Sequence, residues 1–216
     1  TTTTTTPKLS KQHFDNVLSG RRQELDVVQY PTLESLVDQA ALSCSSLFKI
    51  VLESGPHREV PPSAVLAAHE MGICHGLTNA LRLSIPLVST TGRLILPQDL
   101  CHKHGVKSPR YLLSALGMGD EDCKRGLQQV VRDVSDEARL HLEKARSLRS
   151  QILQEEDGSA SSAMSVLLPG LASESFLDRL AAKEHDLTDR NLRHVGFVER
   201  SLCGLRILVA HLRNTF

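Results

Sequence analysis

The sequence specifies an all-α protein, and three observations say so. Apolar residues recur at helical spacing through most of the chain. No stretch alternates with period two over the length of a strand. The apolar content is Leu, Val and Ala rather than rings: aromatics are 3% of the 216 residues and Trp is absent. Such a core packs well between helices, whereas sheets favour β-branched and aromatic side chains. One core-forming domain is expected over residues 9–216, behind an extended low-complexity tail at 1–8.

The elements follow in order. A short helix is expected over 10–19, ending at Gly20. Thr32 is placed to cap a long helix whose inner face repeats through Leu33, Leu36, Val37, Ala40, Cys44, Leu47, Phe48, Val51 and Leu52, with Gly55-Pro56 as the stop. Pro61-Pro62-Ser63 opens the next helix, expected to reach Leu83 and to end at Pro86, because proline lacks the backbone donor that the helix needs. A loop is expected over 86–97, a brief helix over 98–104 closed by Gly105, and another from Ser108-Pro109 to the Gly117/Gly119 pair. Asp120 can cap a long helix to about residue 149, with Leu127, Val130, Val131, Val134, Ala138, Leu142 and Ala145 facing inward. Acid, Gly and Ser at 155–162 predict a break, followed by helices over 173–183 and 190–213.

Charge narrows the possible partners. Twenty-five basic and 25 acidic residues cancel, so no global footprint for nucleic acid exists. Local clusters at Arg21-Arg22 and Lys144/Arg146/Arg149 read as solvated helix faces. Five scattered cysteines argue for a reducing compartment and against a disulfide framework. No run is expected to approach the roughly 18 apolar residues that span a bilayer. The chain opens on six threonines with no initiator Met, the pattern of a processed or trimmed precursor, so the missing transit peptide says nothing against a mitochondrial address.

Histidine spacing does not suggest metal. His69 and His75 are six apart and miss the i,i+4 geometry of a helical zinc pair, and Cys101, His102 and His104 have no second pair at finger-like spacing. No cofactor or metal is expected. Cys74 and His75 point about 100° apart on a helix, which disfavours a thiol–imidazole dyad. The Asp133/Asp136/Glu137 group reads as a solvated face or cap.

The most informative stretch is Gly72-Ile-Cys-His-Gly76-Leu-Thr-Asn79-Ala-Leu-Arg82-Leu83-Ser-Ile-Pro-Leu87, followed by Gly92-Arg93-Leu-Ile-Leu96-Pro97. It resembles the second signature of the squalene/phytoene synthase family: Gln, Asn and Arg, then Asp-x-x-x-Asp, then Gly-Arg-x-Tyr-Leu-Pro. Asn79, Arg82, Gly92, Arg93, Leu96 and Pro97 match. Both aspartates are leucines, Leu83 and Leu87; the glutamine is Gly76 and the tyrosine is Ile95. In the family, carboxylates one helical turn apart hold Mg²⁺, which neutralises a diphosphate leaving group. Leucine has no lone pair to offer. The earlier Asp-x-x-x-Asp helix has no counterpart before residue 30, where only Asp15 and Asp26 lie, and Gln39 falls at the family's reactive tyrosine.

The resemblance implies an isoprenoid synthase-like helical bundle. It also implies further helices ahead of the matched part, so the bundle is expected to be incomplete on its N-terminal side, with apolar surface for another protein to cover. Leu96-Pro97-Gln-Asp99, His104-Gly105-Val106, Ala138-Arg-Leu-His141-Leu and Arg213-Asn-Thr-Phe216 resemble a branch of the family that acts in assembly of mitochondrial respiratory complex I. What this implies is a catalytically inactive scaffold in the mitochondrial matrix or on the matrix face of the inner membrane. Its partners would be protein subunits of a large assembly: complex I, or the mitochondrial ribosome with peripheral RNA contact. The rival is an active or lipid-binding prenyl-diphosphate transferase. Gln39, Gly76, Asn79, Arg82, Leu83, Leu87 and Arg93 are the positions expected at the degenerate substrate cavity. Asn79, Arg82 and Arg93 either bind an anion or fix the 92–97 loop through backbone carbonyls, and the Leu83/Leu87 stripe is expected to fill the cavity.

Overall fold

The structure, a computed structural model, describes residues 9–55, 60–155, 160–193 and 204–210. Helices α1 (Lys11–Asp26), α2 (Leu33–Ala40), α3 (Ser46–Glu53), α4 (Pro62–Thr91), α5 (Gln98–Lys103), α6 (Pro109–Gly117), α7 (Glu121–Ser147), α8 (Arg149–Glu155), α9 (Ala160–Leu167), α10 (Pro169–Ala182) and α11 (Arg190–Arg193) are arranged around α4. A π-helical turn, Ala41–Ser45, joins α2 to α3 without a break. No strand occurs among the described residues.

Local chemistry sets the helix ends. Thr32 Oγ1 accepts from the Ser35 N–H while Ser35 Oγ accepts from the Thr32 N–H, a reciprocal cap on α2. Pro62 starts α4 where a missing donor costs nothing. Asp120 Oδ1 accepts from Cys123 N at 2.9 Å and caps α7. The whole predicted inner face of α7 is buried, and it packs along α4 as the main seam of the bundle.

Several expectations are corrected. First, α1 runs through Gly20 to Asp26, because Gly20 is where the helix approaches Gln39 and Ser43, and a small residue suits that contact better than a stop. Second, Pro86 does not end α4. Its ring removes one backbone bond, but the turn beyond it is held by Ser89 Oγ to the Ile85 and Pro86 carbonyls, Thr90 Oγ1 to Pro86 and Thr91 Oγ1 to Leu87, and the helix stops at Gly92, whose φ is +71°. The expected 86–97 loop shrinks accordingly. Third, the helical spacing predicts Leu47 and Val51 inward, yet they are exposed, while Leu52 is buried. The π turn inserts an extra residue and rotates everything after it by about 100°. Fourth, Leu33–Glu53 is long and apolar enough to cross a membrane by length and composition, which sequence scanning did not anticipate; in the fold it packs against α1 and α4. Beyond α7, helix α9 lies partly inside the expected break, and α10 begins at Pro169 rather than 173. Of the helix expected over 190–213, α11 and 204–210 are helical, and the rest lies outside the described residues, as does the predicted 1–8 tail.

Very close packing joins α4 to the end of α2 and the π turn. Gly72 faces the Ser45 backbone so closely that a Cβ there would overlap Ser45 Cα, and a Cβ at Gly76 would lie 2.6 Å from the Ala40 methyl. Ser45 Oγ donates to the His69 carbonyl at 2.6 Å across the same contact. Gly72→Ala should therefore lower stability by about 3 kcal/mol, the upper range for overpacking against rigid backbone, read as a drop in urea midpoint.

On the far side, Asp133 of α7 accepts from Lys103 Nζ at 3.1 Å and pairs with His104 Nε2 at 2.9 Å, so it is a partner for the end of α5 rather than a free solvated face. Burial works against its ionised form, but the hydrogen bonds from His104 and Lys103 outweigh it and hold the carboxyl below its ordinary range. A carboxylate held low when folded adds stability above its unfolded pKa, about 3.9, and loses it as pH falls through the lower folded value. Asp133→Asn should cost up to about 1 kcal/mol at pH 7, the range for partly exposed pairs, and the difference from the parent should vanish at the acid end of a melting-temperature series.

Candidate functional site

One cavity of about 710 Å³ opens between α1, the 27–30 linker, α2 with its π turn, and the second half of α4. Gly76, Ala80, Leu83 and Leu87 line it from α4 at spacings of four, three and four, which is one helix face. Gly76 has no side chain to fill the space, Leu83 is 49% exposed at the mouth, and the cavity stays open where an apolar stripe was expected to close it.

Six of the seven predicted positions meet here: Gln39, Gly76, Asn79, Leu83, Leu87 and Arg93. Arg82 does not join them. It lies about 100° around the helix from Leu83 and stacks instead over the Phe176 ring of α10 at 5.4 Å, beside a separate cavity of about 180 Å³. Reasoning from the i,i+3 spacing to Asn79 missed this, because the cavity face is centred on Gly76 and Leu83.

The polar groups of the cavity are largely occupied with holding its walls. Gln39 Nε2 donates to the Gly20 carbonyl at 2.8 Å and to Glu24 Oε1 at 3.2 Å, tying α2 to α1. Glu24, the sole carboxylate among the lining residues, also pairs with Arg21 at 2.7 Å. Arg93 donates through Nε to the Val27 carbonyl at 2.9 Å and through its terminal nitrogen to the Glu24 carbonyl, so it caps the open C-terminal end of α1. Its backbone neighbours continue the clamp: Leu94 N donates to Val28 O, Gln98 N to Tyr30 O and Asp99 N to Pro31 O, while Gln29 Nε2 reaches the Leu96 carbonyl. Of the two roles the sequence left open for Arg93, the bonds it makes are those of the structural one. Asn79 makes no side-chain hydrogen bond to another described residue.

The cavity has little to do proton chemistry with. Burial pushes the Tyr30 hydroxyl up to about 12, and burial likewise raises the Cys44 thiol, so both stay protonated near neutrality. Cys74 is also pushed up to about 12 by burial, and it sits in the second apolar cluster with Leu52, Ala67 and Leu142. Among the described residues, no three His, Cys, Asp or Glu side chains form a group that could hold a metal ion. Sequence reasoning missed the α1 wall: Glu24 and the two leucines 18 and 25 went unnoticed, Arg21 and Arg22 read as a solvated face although both line the cavity, and Gly20 read as a stop.

An all-α bundle with a cavity between its helices and a Gly-Arg loop clamped at the cavity edge has the architecture of the isoprenoid synthase fold, and solved structures agree. The chain superposes on a dehydrosqualene synthase in complex with ligand with a TM-score of 0.69 at 17% identity, covering 95% of this chain and 66% of that one. It superposes on squalene synthase HpnC from Alicyclobacillus acidocaldarius with a TM-score of 0.62 at 16% identity, covering 82% and 62%. These likenesses establish the fold. The family model of squalene/phytoene synthase matches residues 1–198, and the chain belongs to that family. Among curated relatives, NADH dehydrogenase (ubiquinone) complex I, assembly factor 6 of Bos taurus is 28% identical over 185 residues, covering 86% of this chain and 50% of the relative. The Homo sapiens protein of that name is 24% identical over 208 residues, covering 96% and 56%. The chain thus spans about half the length of the curated relatives it matches.

Arg93→Ala should lower stability by about 2 kcal/mol, the scale for charged hydrogen bonds to backbone, and should raise hydrogen exchange in the last turn of α1. Arg93→Lys should recover only part of it, since one ammonium cannot span both carbonyls as the guanidinium fork does.

Proposed function

We propose that this chain is a catalytically inactive member of the squalene/phytoene synthase family that serves as a scaffold in mitochondrial assembly, with respiratory complex I as the first client. The observation that carries it is the cavity itself. Leu83 and Leu87 stand where the family's magnesium carboxylates belong, and the one carboxylate lining the space, Glu24, is engaged by Arg21 and Gln39. A diphosphate would have no metal to neutralise it as it leaves, and the protonated Tyr30 and Cys44 offer no base. The relatives named as complex I assembly factor support that client and a mitochondrial location, and we take the matrix side as part of the same reading.

A second reading keeps the cavity and drops the chemistry. About 710 Å³ with nine leucine, valine and isoleucine residues in its walls suits an isoprenoid or other lipid chain, held without turnover.

Two measurements separate these readings from an active enzyme and from each other. With farnesyl or geranylgeranyl diphosphate and magnesium, diphosphate release should not exceed a protein-free blank; metal-dependent release above it overturns the inactive reading. Affinity purification from mitochondria with mass spectrometry should enrich NADH dehydrogenase subunits. Dominance of ribosomal proteins would move the client to the mitochondrial ribosome, and a co-purifying lipid with no protein client would favour the second reading.

A further inference from the structure

The outward face of α1 carries an apolar stripe beside a charge pattern that complements itself when the helix is reversed. Phe14, Leu18 and Leu25 form the stripe, and Leu18 and Leu25 are 69% and 76% exposed. A small ligand inside the cavity could not cover side chains that stand so far out; a second surface could. Along one edge of the stripe lie Lys11, Asp15, Arg22 and Asp26, all exposed and all within about 60° of one another at 100° per residue. None of the four makes a side-chain hydrogen bond or ion pair with another described residue. Their signs run plus, minus, plus, minus.

The positions are symmetric as well as the signs. Lys11 and Asp26 are equidistant from the point between Leu18 and Ser19, and so are Asp15 and Arg22. If two copies of α1 meet antiparallel about that point, Lys11 faces Asp26 of the second copy and Asp15 faces its Arg22, each contact occurring twice. Leu18 then lies on its own copy at the axis, and Phe14 falls within about 3 Å, two residues of helical rise, of the level of Leu25 across the interface. A parallel pairing would set like charge on like. A bilayer surface would favour a cationic edge over one with two charges of each sign.

We infer that α1 forms the two-fold interface of a homodimer. This is the self-complementary kind of patch that a closed dimer requires. Leu18 and Leu25 also line the mouth of the cavity, so the second copy roofs the site with the same two side chains. The inference does not rest on the assembly role and stands or falls separately from it.

Sedimentation equilibrium of the full chain, from about 1 to 100 µM, the span in which modest interfaces associate, should show a reversible monomer–dimer equilibrium. Arg22→Asp and Asp15→Arg should each raise the dimer dissociation constant by about tenfold or more, because each breaks two pairs and creates two repulsions. The double variant should return to within about threefold of the parent. Leu25→Asp should give a monomer with unchanged helical circular dichroism, and if that variant unfolds, the charge-reversal pair alone decides. A chain that stays monomeric at the highest concentration overturns the inference. So does a dimer indifferent to the reversals, a face that binds anionic phospholipid vesicles without dimerising, or a monomer in which residues 1–8 protect the outer face of α1 from exchange.

Discussion

The contact on which the other walls hang is the meeting of α4 with the π turn at Gly72 and Gly76. There the chains approach at backbone distance, which leaves no room for a side chain on α4. Close packing of this kind is bistable rather than elastic: a methyl group must push the helices apart or be refused. Because α2 and α3 are held at that spacing, Gln39 is presented to Gly20 and Glu24, and α1 is thereby hung on the bundle. The cavity is the space left between α1 and α4 once both are pinned to the same intermediate helix.

The surviving half of the family signature is explained by what its residues hold. Gly92 turns the chain in the left-handed region, Arg93 caps α1, and the backbone from Leu94 to Asp99 bonds to the 28–31 linker. These are architectural bonds, and they are needed whether or not a diphosphate ever enters. Leu83 and Leu87 line the mouth without touching the clamp; on the reading proposed above they stand in for metal-holding carboxylates that would have no architectural duty on this helix face. Frame and chemistry are thus separable within one signature. On the reading proposed above, that separation would let a synthase fold present its cavity and outer helix surfaces for another purpose.

Much of the fold could be read along the chain. Thr32, Pro62 and Asp120 marked helix starts, and the inner face of α7 was legible residue by residue, because capping and amphipathic periodicity are local properties. The candidate site was legible in membership but not in geometry. Six positions gathered as the signature implied, yet Arg82 turned to Phe176, and the space expected to be filled stayed open. Both differences are matters of rotation about α4, which a spacing of three residues does not fix.

The sequence by itself determined the helical class, most of the helix starts, the leucines at 83 and 87 and most of the set of residues near the cavity, since each depends on residue type and near neighbours. Only the tertiary structure decided where helices refuse to stop, which side of α3 faces inward and what Arg93 is for. Gly20 and Pro86 are breakers in isolation, but contact with Gln39 and the back-bonded hydroxyls of Ser89, Thr90 and Thr91 carry the helices through them. The extra residue of the π turn has no signature in composition; in the folded chain the turn seats Ser45 against both the His69 carbonyl and the bare backbone of Gly72.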